Sequence, residues 1–552
     1  MYKFYKNWKL VFLFTLLILF LLYFGVVCKA ELELPSNEWS RALSISKFKV
    51  EKIHDLMSNN IFPIPIPYNN SFITLWYEDN TIKYSITDIN GTVALKNKLS
   101  LSVKPVKKIR GLLNDDIISL YILEDKKLKK YDFNFKTKQI ISSRTIAHTI
   151  KDFIVHEDLL IYSDYNSLNL MDKTNYVKRI NDMDVDRFEA IKDTNAPLYH
   201  IALYEKTKTG ENFLNYITYD LNSKNLSKYK LTSIASSVKQ SLERVDIGIV
   251  NDEINILASV IDNRFGNSSL YNFKFKKNNI SSLSKNILNI KASNPFPKIL
   301  KSKKDELTFL ASVNITKGKD TETVNIIKYT INQNNNIKSK KLLTKTNSIS
   351  LNPYYFNLHD NDYLVWTDIN GKNKNIFLSS NNNNIIAATK KIKISEIFDI
   401  FMSTTTSLIP SIFMSLISIM NIFVPIILFI FLVSVIKIQL IESYSTNMFI
   451  IIFILHSILK IIYSNKLFLN NHDLHIFLPI FLKNPLFLYS LLILLTLISL
   501  YCLKIFLENS NYKRHLVKTY CFFAFIDLSI YTFLTIPYIY SYLLFTYKIS
   551  IN

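Results

Sequence analysis

One pattern recurs along the middle of this chain and limits what it can fold into: a short polar turn followed by four or more apolar-rich residues. It occurs in YNNSFITLWYE from Tyr68, LNDDIISLYIL from Leu113, VHEDLLIYSDY from Val155 and DTNAPLYHIALYE from Asp193. It returns in VNDEINILASV from Val250, SKKDELTFLASV from Ser302 and HDNDYLVWTDI from His359. A further turn and an alternating strand follow each copy, centred on Tyr84, Tyr131, Leu170, Tyr216, Tyr271, Tyr329 and Phe377. Six steps separate Tyr84 from Phe377, so the mean repeat is about 49 residues. Each unit reads as three strands and a weaker outer one, with period-two alternation and β-branched and aromatic enrichment. A lone unit of this kind is a small twisted sheet with two apolar faces, which it can bury only against neighbours. Arranged radially, seven of them make a β-propeller, expected over residues 61–392. Two segments can close such a ring: Ile45 to Val50 as an added strand, or Ile385 to Thr389 as the end of the last unit.

The flanks are of another kind. At 552 residues the chain is longer than one domain usually is. From Glu396 onward there are six acidic and nine basic residues among long apolar runs. An α-helical C-terminal transmembrane domain is expected over 393–552, with four spans at 409–438, 448–463, 485–506 and 520–545. LHIFLPIFL, Leu474 to Leu482, is too short to span and reads as interfacial. Residues 1–30 join a basic start, MYKFYKNWK, to an apolar run from Leu10 to Val27, which reads as a signal peptide or as an uncleaved N-terminal membrane anchor. Val27 before Cys28 does not suit a lipid anchor. Residues 31–60 read as a linker. Lys3, Lys6 and Lys9 are expected inside, with the repeat domain outside, and the loop holding Lys504, Lys513, Arg514 and Lys518 then also falls inside. The expected place is the bacterial inner (cytoplasmic) membrane, multi-pass, with the propeller on the extracytoplasmic or periplasmic side.

Within the last repeat, YLVWTDINGKNKNIFLS from Tyr363 to Ser379 resembles a TolB-like propeller repeat. An apolar strand ends in an aromatic, a Thr and an Asp, turns, and returns through an Ile-aromatic-apolar strand. The resemblance implies a propeller serving as a protein-interaction platform, and it carries over no catalytic residue.

The formal net charge is +22, yet only eight of the 66 basic residues are Arg. Arg supplies the planar fork that grips phosphate, so nucleic acid is not an expected partner. The abundance of Lys, Asn and Ile matches the coding bias of an AT-rich genome, with weak attraction to anionic lipid or cell-wall polymer as the alternative. Cys28, Cys502 and Cys521 all lie in apolar runs, leaving the repeat region without a disulfide framework or a Cys-based zinc site.

Asp368-Ile369-Asn370-Gly371 and Asp88-Ile89-Asn90-Gly91 invite a calcium reading, but a calcium loop of the EF-hand kind needs Gly sixth and an acid twelfth. Here Gly is fourth and the twelfth residue from Asp368 is Ser379, whereas Asn-Gly between alternating apolar residues is a hairpin signal. His472, Asp473 and His475 lack a further ligand set. There is no triad spacing and no phosphate-binding Gly loop, so neither enzyme activity nor a cofactor is expected.

Three polar residues in the apolar tail remain: Asp527, with His456 and Lys460 four apart. A carboxylate at the bilayer centre costs about 2.5 to 3.5 kcal/mol, so Asp527 should face a partner or water. Proton or ion coupling is one reading, and an interhelical pair with Lys460 is the other. The expected function is a propeller that binds or scaffolds envelope or membrane proteins. The rival is a component of a transport or energy-coupled machine with the propeller as sensor or gate.

Overall fold

The computed structural model describes residues 7–50, 60–207, 211–234, 240–262, 267–290, 296–300, 306–317, 321–346, 348–392, 394–436, 446–469, 484–509 and 516–549. Contacts divide the chain into a helical unit, built from its two ends, and a β unit spanning most of residues 34–391. Helix α1 (Trp8–Leu32) precedes the β unit and a short helix α2 (Asn383–Lys390) ends it.

The β unit opens with β1 (Leu43–Lys49), and five four-stranded antiparallel sheets follow. The first is β2–β5 (Ile61–Ile66, Ser71–Glu78, Thr81–Asp88, Val93–Ser102) and the second β6–β9 (Val106–Asn114, Ile117–Glu124, Lys127–Asn134, Gln139–Ala147). The third is β10–β13 (Asp152–Val155, Leu159–Ser163, Ser167–Asp172, Val177–Asn181). The fourth is β14–β17 (Asp184–Lys192, Leu198–Lys206, Asn212–Asp220, Leu226–Ile234) and the fifth β18–β21 (Gln240–Val250, Glu253–Asp262, Asn267–Lys276, Asn279–Leu288).

An eight-stranded sheet takes β22–β25 (Phe296–Ile299, Leu307–Lys317, Thr321–Ile331, Ile337–Leu342), β26–β28 (Ile349–Leu358, Asn361–Asn370, Asn373–Ser380) and β1. Its two halves meet through one parallel bridge, Val324 to Ile349. The recurring apolar runs are the second strands β3, β7, β11, β15, β19, β23 and β27, and the aromatic-bearing strands are the third.

Each sheet buries its faces on the next. Ile73 and Leu75 pack with Ile118, Leu120 and Phe133, Leu123 with Phe153 and Leu160, Ile161 and Leu170 with Ile201 and Leu203, and Tyr216 with Ile254 and Ile256. Phe72 and Trp76 of the first sheet pack with Tyr363, Val365 and Ile376 of the last, so the succession returns to its start. The first strands of the sheets neighbour one another around the centre. Gly111 and Gly248, on β6 and β18, permit this closeness: a Cβ would stand 2.5 Å from an Ile64 or Ile299 methyl respectively. The architecture is propeller-like.

Closure departs from the expected boundaries. The stretch read as a linker supplies β1, which pairs antiparallel with β28 from Leu43–Leu378 to Lys49–Asn373. The other closing candidate, Ile385 to Thr389, is helical, begun by Asn382 accepting from the Asn384 amide at 2.8 Å. β1 covers the hydrogen-bonding edge that β28 would otherwise leave open. Residues 51–59 lie outside the described residues.

Tight turns in this Gly-poor chain fall to Asp, Asn, Lys and His. Asp79-Asn80, Asp125-Lys126 and His359-Asp360 all take positive φ, as two-residue hairpins require. In the last repeat the paired residues are Asn370 and Asn373, so the turn centres on Gly371-Lys372, one residue later than an Asn-Gly centre, and Gly371 has φ +59°. Asp368 is a buried strand residue accepting from Ser350 Oγ at 2.6 Å and Trp366 Nε1 at 2.7 Å.

In the helical unit α1 is joined by α3 (Ile394–Ile436), α4 (Thr446–Ser464), α5 (Pro485–Asn509) and α6 (Leu516–Ile549). Four segments are long and apolar enough to cross a membrane: Trp8–Lys29, Asn447–Ser464, Pro485–Glu508 and Leu516–Leu534. The first expected tail span instead belongs to a helix that begins at Ile394 rather than at residue 409, and its apolar stretch among the described residues is Met420–Val433. Glu396 in its first turn suits a helix N-terminus, and no Gly or Pro intervenes before Pro410. Trp8 of α1 packs edge-on to Phe522 of α6 at 4.8 Å. Leu474 to Leu482, the His472-to-His475 loop, Lys513 and Arg514 lie outside the described residues.

Candidate functional site

The three polar residues singled out in the tail meet. His456 and Lys460 lie one turn apart on α4, so they share a face, and Asp527 comes to them from α6. Lys460 Nζ donates to Asp527 Oδ1 at 2.9 Å and Oδ2 at 2.8 Å, and to Thr496 Oγ1 of α5 at 2.8 Å. His456 Nε2 lies 3.0 Å from Asp527 Oδ2, and its Nδ1 lies 3.2 Å from the Tyr520 hydroxyl. The arrangement is consistent with one tautomer: Nε2–H donates to the carboxylate while Nδ1 accepts from Tyr520. Ser464 Oγ donates to the Lys460 carbonyl at 2.7 Å and lies 3.0 Å from the Tyr531 hydroxyl. All three principal side chains are buried.

One carboxylate faces one ammonium. The carboxylate has three donor contacts, and three helices are tied at one depth. Beside this cluster, Lys460 and Thr496 join Phe453, Ile461, Leu492 and Leu497 around a mostly apolar pocket of about 220 Å³ between α4 and α5.

A second polar constellation lies on the central strands of the β unit. β-Bulges precede Lys108, Arg187 and Arg244, which therefore occupy matching positions on β6, β14 and β18. Two residues further along stand Arg110, Glu189 and Asp246. Lys108 pairs with Asp152 of β10 at 2.7 Å, and Lys298 of β22 pairs with Asp246 at 3.0 Å and Glu189 at 3.3 Å. Arg110 donates to the Tyr354 hydroxyl at 2.8 Å and stacks over Phe62 at 5.2 Å. Among the described residues, Arg187 donates to two carbonyls, those of Glu243 at 3.2 Å and Asp186 at 3.3 Å, and Arg244 lies over the Phe296 ring at 5.2 Å.

Burial pushes Lys108 down to about 8 against the pull of Asp152, and Arg110 adds to the fall. Burial acts on Arg244 in the same direction, with the Arg187 charge adding to it. Burial would likewise lower Lys298, but Asp246 and Glu189 outweigh it and hold the ammonium above its ordinary value. The Lys298 side chain nonetheless keeps 45 % exposure, so water reaches the centre.

The sequence reading missed this constellation because its partners are one repeat apart: Lys108 and Asp152 are separated by 44 residues, and Asp246 and Lys298 by 52. The available signal was a charged residue in the strand before five of the seven apolar runs, as in VKKIRG, DVDRFE and SLERVD.

No protein-family model and no curated protein matches this sequence. Among solved structures, the chain is similar to the polysaccharide lyase Uly1, at 7 % identity over 60 % of this chain and 91 % of that one, with a TM-score of 0.43. It is also similar to the N-terminal domain of Nup159, at 10 % identity over 63 % and 97 % of the two chains, with a TM-score of 0.39. For Saccharomyces cerevisiae Sqt1 the identity is 9 % over 60 % and 98 % of the two chains, with a TM-score of 0.35. Likenesses at this level assign the chain neither a family nor an activity.

Proposed function

We propose that this chain is a multi-pass protein of a bacterial inner membrane whose seven-bladed β-propeller, on the extracytoplasmic side, binds or scaffolds other proteins of a membrane complex. The seventh blade in this reading is β26, β27, β28 and β1, and the sixth is β22 to β25.

The observation that carries the proposal is the clasp where the chain enters and leaves the β unit. Trp39 Nε1 donates to Ser379 Oγ at 2.8 Å, the Ser40 amide donates to the Ser380 carbonyl at 2.9 Å, and Arg41 Nε donates to the Thr389 carbonyl at 2.6 Å. Both passages therefore lie at one end of the sheets. Among the described residues, the opposite end carries turns between second and third strands, such as Asp79-Asn80 and Asp125-Lys126. There Tyr165 is 44 % exposed, with the ammonium groups of Lys126 and Lys151 at 5.6 and 4.7 Å from its ring. An exposed aromatic flanked by cations has the make-up of a protein-binding hot spot.

Cross-linking and affinity purification of the full chain from native membranes tests this. Specific partners should be recovered, and Tyr165→Ala combined with Lys126→Glu should lose them while the protein still inserts and folds. Partners retained by that double variant would count against the surface, and no specific partner would count against the function.

The contact of His456 with Asp527 favours a second reading, in which the helices couple a proton or ion and the propeller senses or gates. Asp527→Asn separates the two. Loss of a growth or transport phenotype with insertion and partners intact would replace scaffolding by coupling.

A further inference from the structure

Arg is rare in this chain, yet three of its eight arginines, Arg110, Arg187 and Arg244, lie on the central strands of the β unit. Elsewhere Lys satisfies most of the demand for positive charge. A planar guanidinium is favoured over an ammonium where an oxyanion is gripped by two parallel hydrogen bonds.

The charges around the centre do not cancel. Lys108 is matched by Asp152, and Lys298 bridges Glu189 and Asp246. Arg110 rests on aromatic rings and a phenol. Among the described residues, Arg187 and Arg244 make no ion pair with a carboxylate. Of the acids adjoining them in sequence, Asp186 pairs with Lys206 at 3.0 Å, while Glu243 and, from β10 of the third sheet, Asp152 support the Arg244 charge without forming an ion pair with it. Two guanidinium groups at matching positions of adjacent sheets are thus partly buried together, and Arg187 reaches the carbonyl of Glu243, the residue before Arg244, at 3.2 Å. Partial burial of like charges is costly unless a counter-charge joins them. The site is also reachable, because the neighbouring Lys298 and Glu189 side chains are 45 % and 28 % exposed.

We propose that the centre of the β unit binds a small oxyanion, a phosphate or carboxylate group, between Arg187 and Arg244, with the paired Lys108 as an auxiliary donor. The guanidinium groups supply the charge-assisted hydrogen bonds, and the Glu243 and Asp186 carbonyls hold Arg187 in place. This site is separate from the Tyr165 surface, so either can fail without the other.

The test uses the full chain in detergent or nanodiscs, with thermal stability and calorimetry as readouts at constant ionic strength. Inorganic phosphate, pyrophosphate and citrate are compared with chloride. Phosphate and pyrophosphate acting without citrate would identify a phosphate site, and citrate acting alone a carboxylate site. Arg244→Gln should weaken binding at least tenfold, and Arg244→Lys by less. Asp152→Asn, which leaves Lys108 unpaired, should tighten it several-fold and decides the matter if Arg244→Gln does not fold. No stabilisation beyond chloride by any of the three anions would overturn the proposal. So would unchanged affinity in Arg244→Gln, or in Asp152→Asn.

Discussion

Lys460 on α4 reaches both carboxylate oxygens of Asp527 on α6, at 2.9 and 2.8 Å, and every atom of that contact is buried. Removing one partner leaves an uncompensated charge, whereas removing both leaves none. Lys460→Met is expected to destabilise the protein by about 3 to 5 kcal/mol, and the double variant Lys460→Met with Asp527→Leu by clearly less. Unfolding of the detergent-solubilised chain measures both, and a double variant no better than the single one would show that the pair does not act as a unit.

Gly248 and Gly111 allow central strands to approach their neighbours, with built Cβ positions 2.5 Å from Ile299 Cγ2 and Ile64 Cδ1. Gly248→Ala should cost about 1 to 3 kcal/mol through overpacking. Combining it with Ile299→Ala should return part of that loss. Denaturant midpoints compare the variants, and wild-type stability in Gly248→Ala alone would refute the close approach.

The clasp predicts a graded loss of ring closure. Trp39→Phe keeps most of the buried ring but removes the donor to Ser379, so it should cost about 1 to 3 kcal/mol. Trp39→Ala should cost about 3 to 5 kcal/mol. Limited proteolysis should then cut near β1 before the central sheets; cleavage that begins elsewhere would place the weak point outside the clasp.

Asp172 gives an acid dependence. Burial alone would raise its carboxyl, but the Lys224 ammonium and the Thr174 hydroxyl, with the Tyr176 and Thr174 amides, outweigh burial and bring it down to about 2 from 3.8. Because the folded value is depressed, the stabilisation is present above about pH 4 and disappears as pH falls towards 2. Stability profiles of wild type and Asp172→Asn should converge at the acid end and diverge at neutral pH. Parallel profiles would remove Asp172 from the acid response.

The second and third strands of each sheet were legible because their alternation is local: YNNSFITLWYE and HDNDYLVWTDI show the turn and the buried run without reference to any other residue. The tail cluster was half legible. An Asp, a His and a Lys in apolar helices must find partners, but Thr496 and Tyr520 carry no such signal, and helix packing selected them. The central charges were not legible, since Lys108 and Asp152 look like ordinary strand polar residues until adjacent sheets face each other.

Periodicity and apolar length, which depend only on neighbouring residues, were enough to determine repeated small sheets and helices long enough to cross a membrane. Tertiary structure decided which distant segments meet. β1 belongs to the last sheet because β28 has an open edge that an extended segment can pair, while Ile385 to Thr389, just past that edge, is taken up by a capped helix. The charged centre exists because the first strands of successive sheets converge there, bringing together side chains whose ion pairs form only across repeats.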